Sequence, residues 1–255
     1  MEHLMNKKLI FDAVRDLLGR GFTQAEVDLL DAAIDRAGKT AQPRLGALSE
    51  RFESGGRGPG VVSSGKGDPG GVSYGIWQLS SRAGTAAAFV AAEGGRWRAE
   101  FAGTAPGSPA FSTAWRAIAE REPEAFAEAQ HAFIERTHYR PAVAAVRQRT
   151  GLDLDRRHPA VRDASWSVAV QHGGAAGILA DAVTSTDASG QRADRGYDRA
   201  LVEAIYASRT AYVLRVAARA GLDSAQGRVL QSVACSRYPV ELAAALAMFD
   251  APTAA

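Results

Sequence analysis

The chain has 255 residues, 46% of them apolar and 23% charged, with a formal net charge of +2. That length suits one large domain, or one domain with a small helical appendage. So mild a basic excess, with a pI near 8.8, argues against a nucleic-acid partner while tolerating an anionic substrate, and the single cysteine, Cys235, excludes an internal disulfide.

The first segment reads as a helical hairpin. Leu9, Ile10, Ala13, Val14, Leu17 and Leu18 form an apolar stripe that Gly19 and Gly21 stop. Thr23 and Glu26 then have capping-box spacing, and Val27, Leu30 and Ile34 continue a second helix before the break at Gly38 and Pro43. Residues 1–42 are therefore expected to be a brace or a binding module, and 43–255 the main domain. The apolar run at Leu9 is broken by Asp12 and Arg15, so no signal peptide is expected, and no stretch approaches the ~18 apolar residues of a membrane span.

Leu45 to Phe52 predicts a short helix with Glu53 at or just past its end. Residues 54–71 are too rich in glycine for helix and predict turns or a short hairpin. Val72 to Leu79 predicts a strand or buried turn. Beyond Ser81 nearly everything reads helical, because alanine is abundant and β-branched residues are sparse. Helices are expected at Thr85 to Ala92 and from Thr113 to Glu122. Pro123, Pro141 and Pro159 mark further starts, since a first-turn proline gives up no needed N–H. Ala160 to His172 is apolar on most sides and predicts a central buried helix, ended by Gly173 and Gly174. A polar loop is expected over residues 184–196, another helix around Leu201 and Ile205, and a last one from Pro239 to Phe249. Cys235, beside Val233 and Ala234, reads as a buried thiol in a helix. The fold class is α+β, predominantly α, with a small β-hairpin region and a central buried helix, preceded by an N-terminal helical hairpin.

Glycoside hydrolysis needs a carboxylic acid beside the leaving oxygen and a second group to stabilise or attack the developing cation. Glu53 suits the first role, with Tyr74, Trp77 and Trp166 as candidate walls that would raise its pKa by desolvation. Glu50, three residues earlier on a similar face, is the fallback acid.

Glu53-Ser54-Gly55-Gly56 followed by Ser73-Tyr74-Gly75-Ile76-Trp77-Gln78-Leu79 resembles the lysozyme-like superfamily. In goose-type lysozymes and soluble lytic transglycosylases a Glu-Ser pair ends a helix and a Gly-hydrophobic-hydrophobic-Gln-hydrophobic segment comes after it. The resemblance implies a lysozyme-like fold, Glu53 as the acid and Gln78 beside the sugar cleft. Gly67-Asp68-Pro69-Gly70-Gly71 with Gly75-Ile76 resembles the turn and strand of bacterial chitosanases, which implies Asp68 as a water-activating base about 6.5–9.5 Å from the acid in an inverting reaction; Asp-Pro-Gly is also a strong turn sequence by itself. Over most of its length the chain looks like phage endolysins and related phage-tail or type VI secretion effectors, through Trp166 to Gly173, Ile205-Tyr206 with Arg209, and Arg237-Tyr238.

These resemblances imply an endolysin-type muramidase acting on peptidoglycan glycan strands, with Glu53 and Asp68 catalytic and Ser73, Tyr74, Gln78 and His172 around the sugar. Lytic transglycosylase, chitosanase or chitinase, and a wall-binding phage structural protein are the alternatives. No cofactor, nucleic acid or stable membrane insertion is expected. The protein would be a monomer that reaches the wall by release or injection. Gly60 to Lys66 fits most of a P-loop, but Gly67 stands where Ser or Thr must hold magnesium. His131 and His138 lack a third ligand nearby for zinc, and no Gly-x-Ser-x-Gly elbow occurs.

Overall fold

The structure is a computed structural model. It describes residues 2–27, 29–30, 45–53, 58–66 and 70–250, with backbone alone for 2–9 and 51–53. The chain divides into two units, Met1–Arg44 with Pro252–Ala255, and Leu45–Ala251.

In the smaller unit, α1 (Glu2–Leu18) ends at Gly19, which takes φ 63°. The capping box forms: the Glu26 N–H donates to Thr23 Oγ1 at 3.3 Å and the Thr23 N–H donates to Glu26 Oε2 at 2.9 Å. Arg20 pairs with Glu26 at 2.6 Å, and this partner, with the Thr23 bonds, holds the Glu26 carboxyl down at about 2. Phe11 meets Phe22 edge-on. The expected helical continuation through Ile34 and the break at Gly38 and Pro43 lie outside the described residues.

The larger unit is mostly helical, with one small antiparallel sheet. After α2 (Ala47–Glu53) come β1 (Ser73–Tyr74) and β2 (Leu79–Ser80), paired Ser73 to Ser80 and Tyr74 to Leu79. The remaining helices are α3 (Thr85–Ala91), α4 (Pro109–Arg121), α5 (Pro123–Ile134), α6 (Arg140–Thr150), α7 (Pro159–Gln171), α8 (Ala175–Asp187), α9 (Tyr197–Ala220), α10 (Ala225–Ser232) and α11 (Tyr238–Ala247). No described helix is long and apolar enough to cross a membrane.

The starts obey local chemistry. α4 begins four residues before the expected Thr113, because Ser108 is its cap, accepting the Phe111 N–H at 3.1 Å, and Pro109 fills the first position. Pro123 and Pro159 begin α5 and α7 as expected. Pro141 stands in the first turn of α6, as expected, but no loop precedes that helix. α5 passes into α6 through a wide π turn, Glu135–Tyr139, in which the Arg140 N–H reaches back to the Glu135 carbonyl. A proline donates no N–H, and the wider turn shifts the bonding register around it. The same device precedes Pro239, where the turn is Val233–Arg237. That turn leaves Cys235 exposed, not buried as its apolar neighbours suggested. The expected loop from residue 184 starts later, since Thr184 and Thr186 donate their hydroxyls to the Ala180 and Ala182 carbonyls and the helix continues to Asp187.

Two structures organise the core. Trp115, fully buried, packs among Tyr74, Phe89 and Phe126, joining the sheet to α3, α4 and α5. α7 is buried along most of its length and packs against α2, α8, α9 and α11. At its far end lies a polar knot. Arg209 and Glu241, each with a fully buried side chain, pair at 2.8 Å. Ser167 and Tyr206 also donate to Glu241, as does Arg237, and Arg209 donates to Gln171. Its guanidinium carbon lies 4.1 Å from the Tyr238 ring centroid. Removing one member would leave the other charge buried without a partner. Arg209→Ala is expected to lower the unfolding free energy by about 3–5 kcal/mol in denaturant titration.

Candidate active site

α2 has seven residues, too few to stand alone as a helix in water. Its first turn is held from outside. Asp163, 3% exposed in α7, accepts the Gly46 N–H on one carboxylate oxygen and the Leu48 N–H on the other, the latter at 2.9 Å. An acidic group there also suits the positive end of the helix dipole. His131 Nε2 donates to the Leu45 carbonyl at 2.6 Å, and its ring stacks on Trp166 at 4.4 Å. Gly46 takes φ 85° directly against that indole, where a Cβ would lie 2.5 Å from Trp166 Nε1. Glu53 is the last residue of this helix. Glu50 is half-buried on it.

The hairpin is held by the neighbouring residue of the same helix, α5. Gln130, fully buried, accepts the Ile76 N–H at 3.0 Å and donates to the Pro59 carbonyl at 3.1 Å. Trp115 donates to the same carbonyl at 2.8 Å. Gly75 has no room for a side chain, since a Cβ would collide with the Gln130 amide. Trp77 bridges the two anchors, its ring 5.4 Å from Trp166 and 6.2 Å from His131. Gln130 and His131 thereby fix the hairpin turn and the start of α2 from a single turn of helix.

The glycine-rich stretch runs beside β1. The Ser63 N–H donates to the Ser73 carbonyl at 2.9 Å, and the Gly75 N–H to the Val61 carbonyl at 2.7 Å. Asp68 lies outside the described residues. Its downstream flank is tied to Ser80 and Arg82, because the Gly70 carbonyl accepts Ser80 Oγ at 2.6 Å and the Arg82 N–H at 3.1 Å.

The expected sugar-binding residues divide into two kinds. Tyr74 is wholly buried, its hydroxyl bonded to Ser112 Oγ and to the Gly107 N–H. With no exposed surface it anchors the hairpin and has no face for a sugar. Trp77 and Trp166 are core residues as well. Ser73 is buried with its N–H on Ser63 Oγ at 2.8 Å. Gln78 is half-buried and takes φ 53°, a left-handed conformation that costs a non-glycine residue about 1 kcal/mol or more. Its side-chain amide donates to the Gly75 carbonyl at 2.9 Å.

His172 caps the end of α7, half-buried in the polar knot. Arg209 Nε donates to its Nε2 at 3.3 Å, and the Tyr238 hydroxyl lies 3.1 Å away. Burial, then the charges of Arg209 and Arg237, lower its pKa from 6.5 to about 3. Near neutral pH it is an uncharged ring with Nε2 accepting and the proton on Nδ1. Sequence reading missed Gln130, Asp163 and Glu241. Each is a polar residue in a helix with partners far off in the chain. Among the described residues, no group of three or more His, Cys, Asp or Glu side chains is placed to hold a metal ion.

The family model for the C-terminal part of type VI secretion system spike proteins of the VgrG3 kind matches residues 45–231. That match begins at the first residue of the larger unit. The type VI secretion system spike protein VgrG3 of Vibrio cholerae serotype O1 is 41% identical over 139 residues, which is 54% of this chain and 13% of that protein. The chain thus spans a small fraction of the relative's length. These matches overturn the reading as a lysozyme-like phage endolysin with chitosanase likeness: both name a secretion spike protein, and neither names an endolysin or a phage protein. The endolysin-type muramidase assignment, with its transglycosylase, chitosanase and phage-structural alternatives, falls with it.

The anchoring has two measurable consequences. Asp163→Ala leaves two N–H groups at the start of α2 without their acceptor and is expected to cost about 2–3 kcal/mol of unfolding free energy in denaturant titration. A His172 pKa below its ordinary value means that the unfolded chain binds the proton first, so stability is lost as pH falls from 6.5 toward about 3. NMR titration is expected to show no protonation of His172 between pH 7 and about pH 4.

Proposed function

The chain belongs to the family of type VI secretion system spike protein VgrG3-like C-terminal domains, and we propose that it is a spike-borne glycoside hydrolase acting on the glycan strands of a bacterial wall after injection. In this reading Glu53 protonates the leaving oxygen and Asp68 activates water or stabilises the cation on the opposite face of the sugar. Gln78 and His172 orient the ring, His172 through an uncharged N–H whose state does not change across the working pH range.

The observation that carries the proposal is the joint anchoring of the α2 start and the hairpin by Gln130 and His131. Acid catalysis on a glycan demands a carboxylic acid held to within a fraction of an ångström of the reacting oxygen. A short helix locked at its start and ending in Glu53 meets that demand better than a loop does. The left-handed Gln78 adds support, since strain of this kind collects at ligand-contacting sites.

The test is fragment release from purified sacculi, read as new reducing ends and by mass spectrometry. Glu53→Gln is expected to reduce release about a hundredfold or more, with the melting temperature unchanged. Retained release would remove Glu53 from the role, and wild-type protein that binds sacculi without releasing fragments would remove the hydrolase reading.

A further inference from the structure

A trough of about 680 Å³ lies between the π turn at Glu135–Tyr139, α6 and α7, with Leu45, just before α2, in its wall. Leu45 and Val143 contribute apolar wall, and Arg162 enters it from α7. That volume suits a small ligand of two or three residues.

The charges around it are mostly satisfied. Arg140 pairs with Glu135 at 2.8 Å and Arg147 with Asp153 at 3.3 Å. Asp155 accepts the Tyr139 hydroxyl at 2.7 Å. Arg162 differs. Its guanidinium interacts with the Tyr139 hydroxyl, but among the described residues it makes no ion pair within 4.0 Å, and its Nε–H is buried with no acceptor. A buried donor on a charged group without an acceptor is costly, because its lost hydration is not replaced. A guanidinium presents a planar fork that matches a carboxylate with two parallel bonds.

We propose that this trough is a second, non-catalytic binding site for the free carboxylate of a short peptide, with Arg162 as its anchor. The proposal rests on the reading of a wall strand as substrate, since such strands carry short peptides with free carboxylates. The rim carries both signs, Glu135, Asp153 and Asp155 with Arg140, Arg147 and Arg162, and so favours a ligand that brings an ammonium group beside its carboxylate over a polyanion such as a phosphate ester. The apolar wall at Leu45 and Val143 takes an aliphatic side chain. Binding there would hold a strand by its peptide while its glycan meets Glu53, raising the local concentration of substrate.

The test uses the full chain and three probes without a glycosidic bond, so that binding is read whether or not the protein hydrolyses glycans. They are a tetrapeptide with a free C-terminal carboxylate, its amidated form, and N-acetylmuramic acid, which carries a carboxylate on a sugar. The free peptide is expected to shift the Arg162 Nε–H signal in NMR titration and to bind at least about tenfold more tightly than the amide. Arg162→Gln, with an unchanged melting temperature, is expected to lose that tenfold. Absence of any shift with wild-type protein, or equal binding of the amidated peptide, overturns the proposal. N-acetylmuramic acid binding as tightly as the peptide overturns the peptide assignment and gives the site to the sugar acid.

Discussion

A carboxylate inside the protein holds the start of the helix that ends in Glu53. Asp163 sits in α7, 3% exposed, and receives the N–H groups of Gly46 and Leu48. A seven-residue helix has almost no stability of its own, so α2 persists only because its first turn is satisfied from elsewhere. The direction of α2 is set by α7, and with it the place where its last residue stands.

The hairpin is fixed by the same logic from α5. Gln130 spends both ends of its amide on backbone groups, one at Ile76 and one at Pro59. His131, next to it, reaches Leu45. A buried amide that meets two backbone partners removes two desolvation penalties at once and leaves the turn a single conformation. Trp166 and Trp77 fill the space between these anchors, which is why they pack as core and have no sugar-facing surface.

α7 also carries the polar knot at its far end. Glu241 accepts from two guanidinium groups, Arg209 and Arg237. Burial, with the charges of those two arginines, is what keeps His172 neutral. Arg237 reaches Glu241 from a π turn, and Tyr139 stands at the end of the other π turn, with its ring on Trp166 and its hydroxyl on Asp155. Both wide turns precede a proline, so a local backbone constraint contributes to a long-range arrangement of side chains.

The sequence by itself determined where most elements begin and end. Pro123 and Pro159 opened helices, Thr23 and Glu26 closed a capping box, the glycine run after Glu53 marked the end of α2, and the all-round apolar pattern of Ala160 to His172 marked the buried helix. These features depend on residues within a few positions of one another, so they are legible in a string of letters. The tertiary structure alone decided which polar residues hold the site. Asp163, Gln130 and Glu241 each look like ordinary helix-surface residues, and apart from Arg237, four residues before Glu241, the partners named for them lie tens of positions away or more. It also decided that Tyr74 is an anchor, that Cys235 is exposed and that Arg162 lines a trough. Burial and pairing are properties of two segments meeting, and periodicity along one segment carries no record of the other.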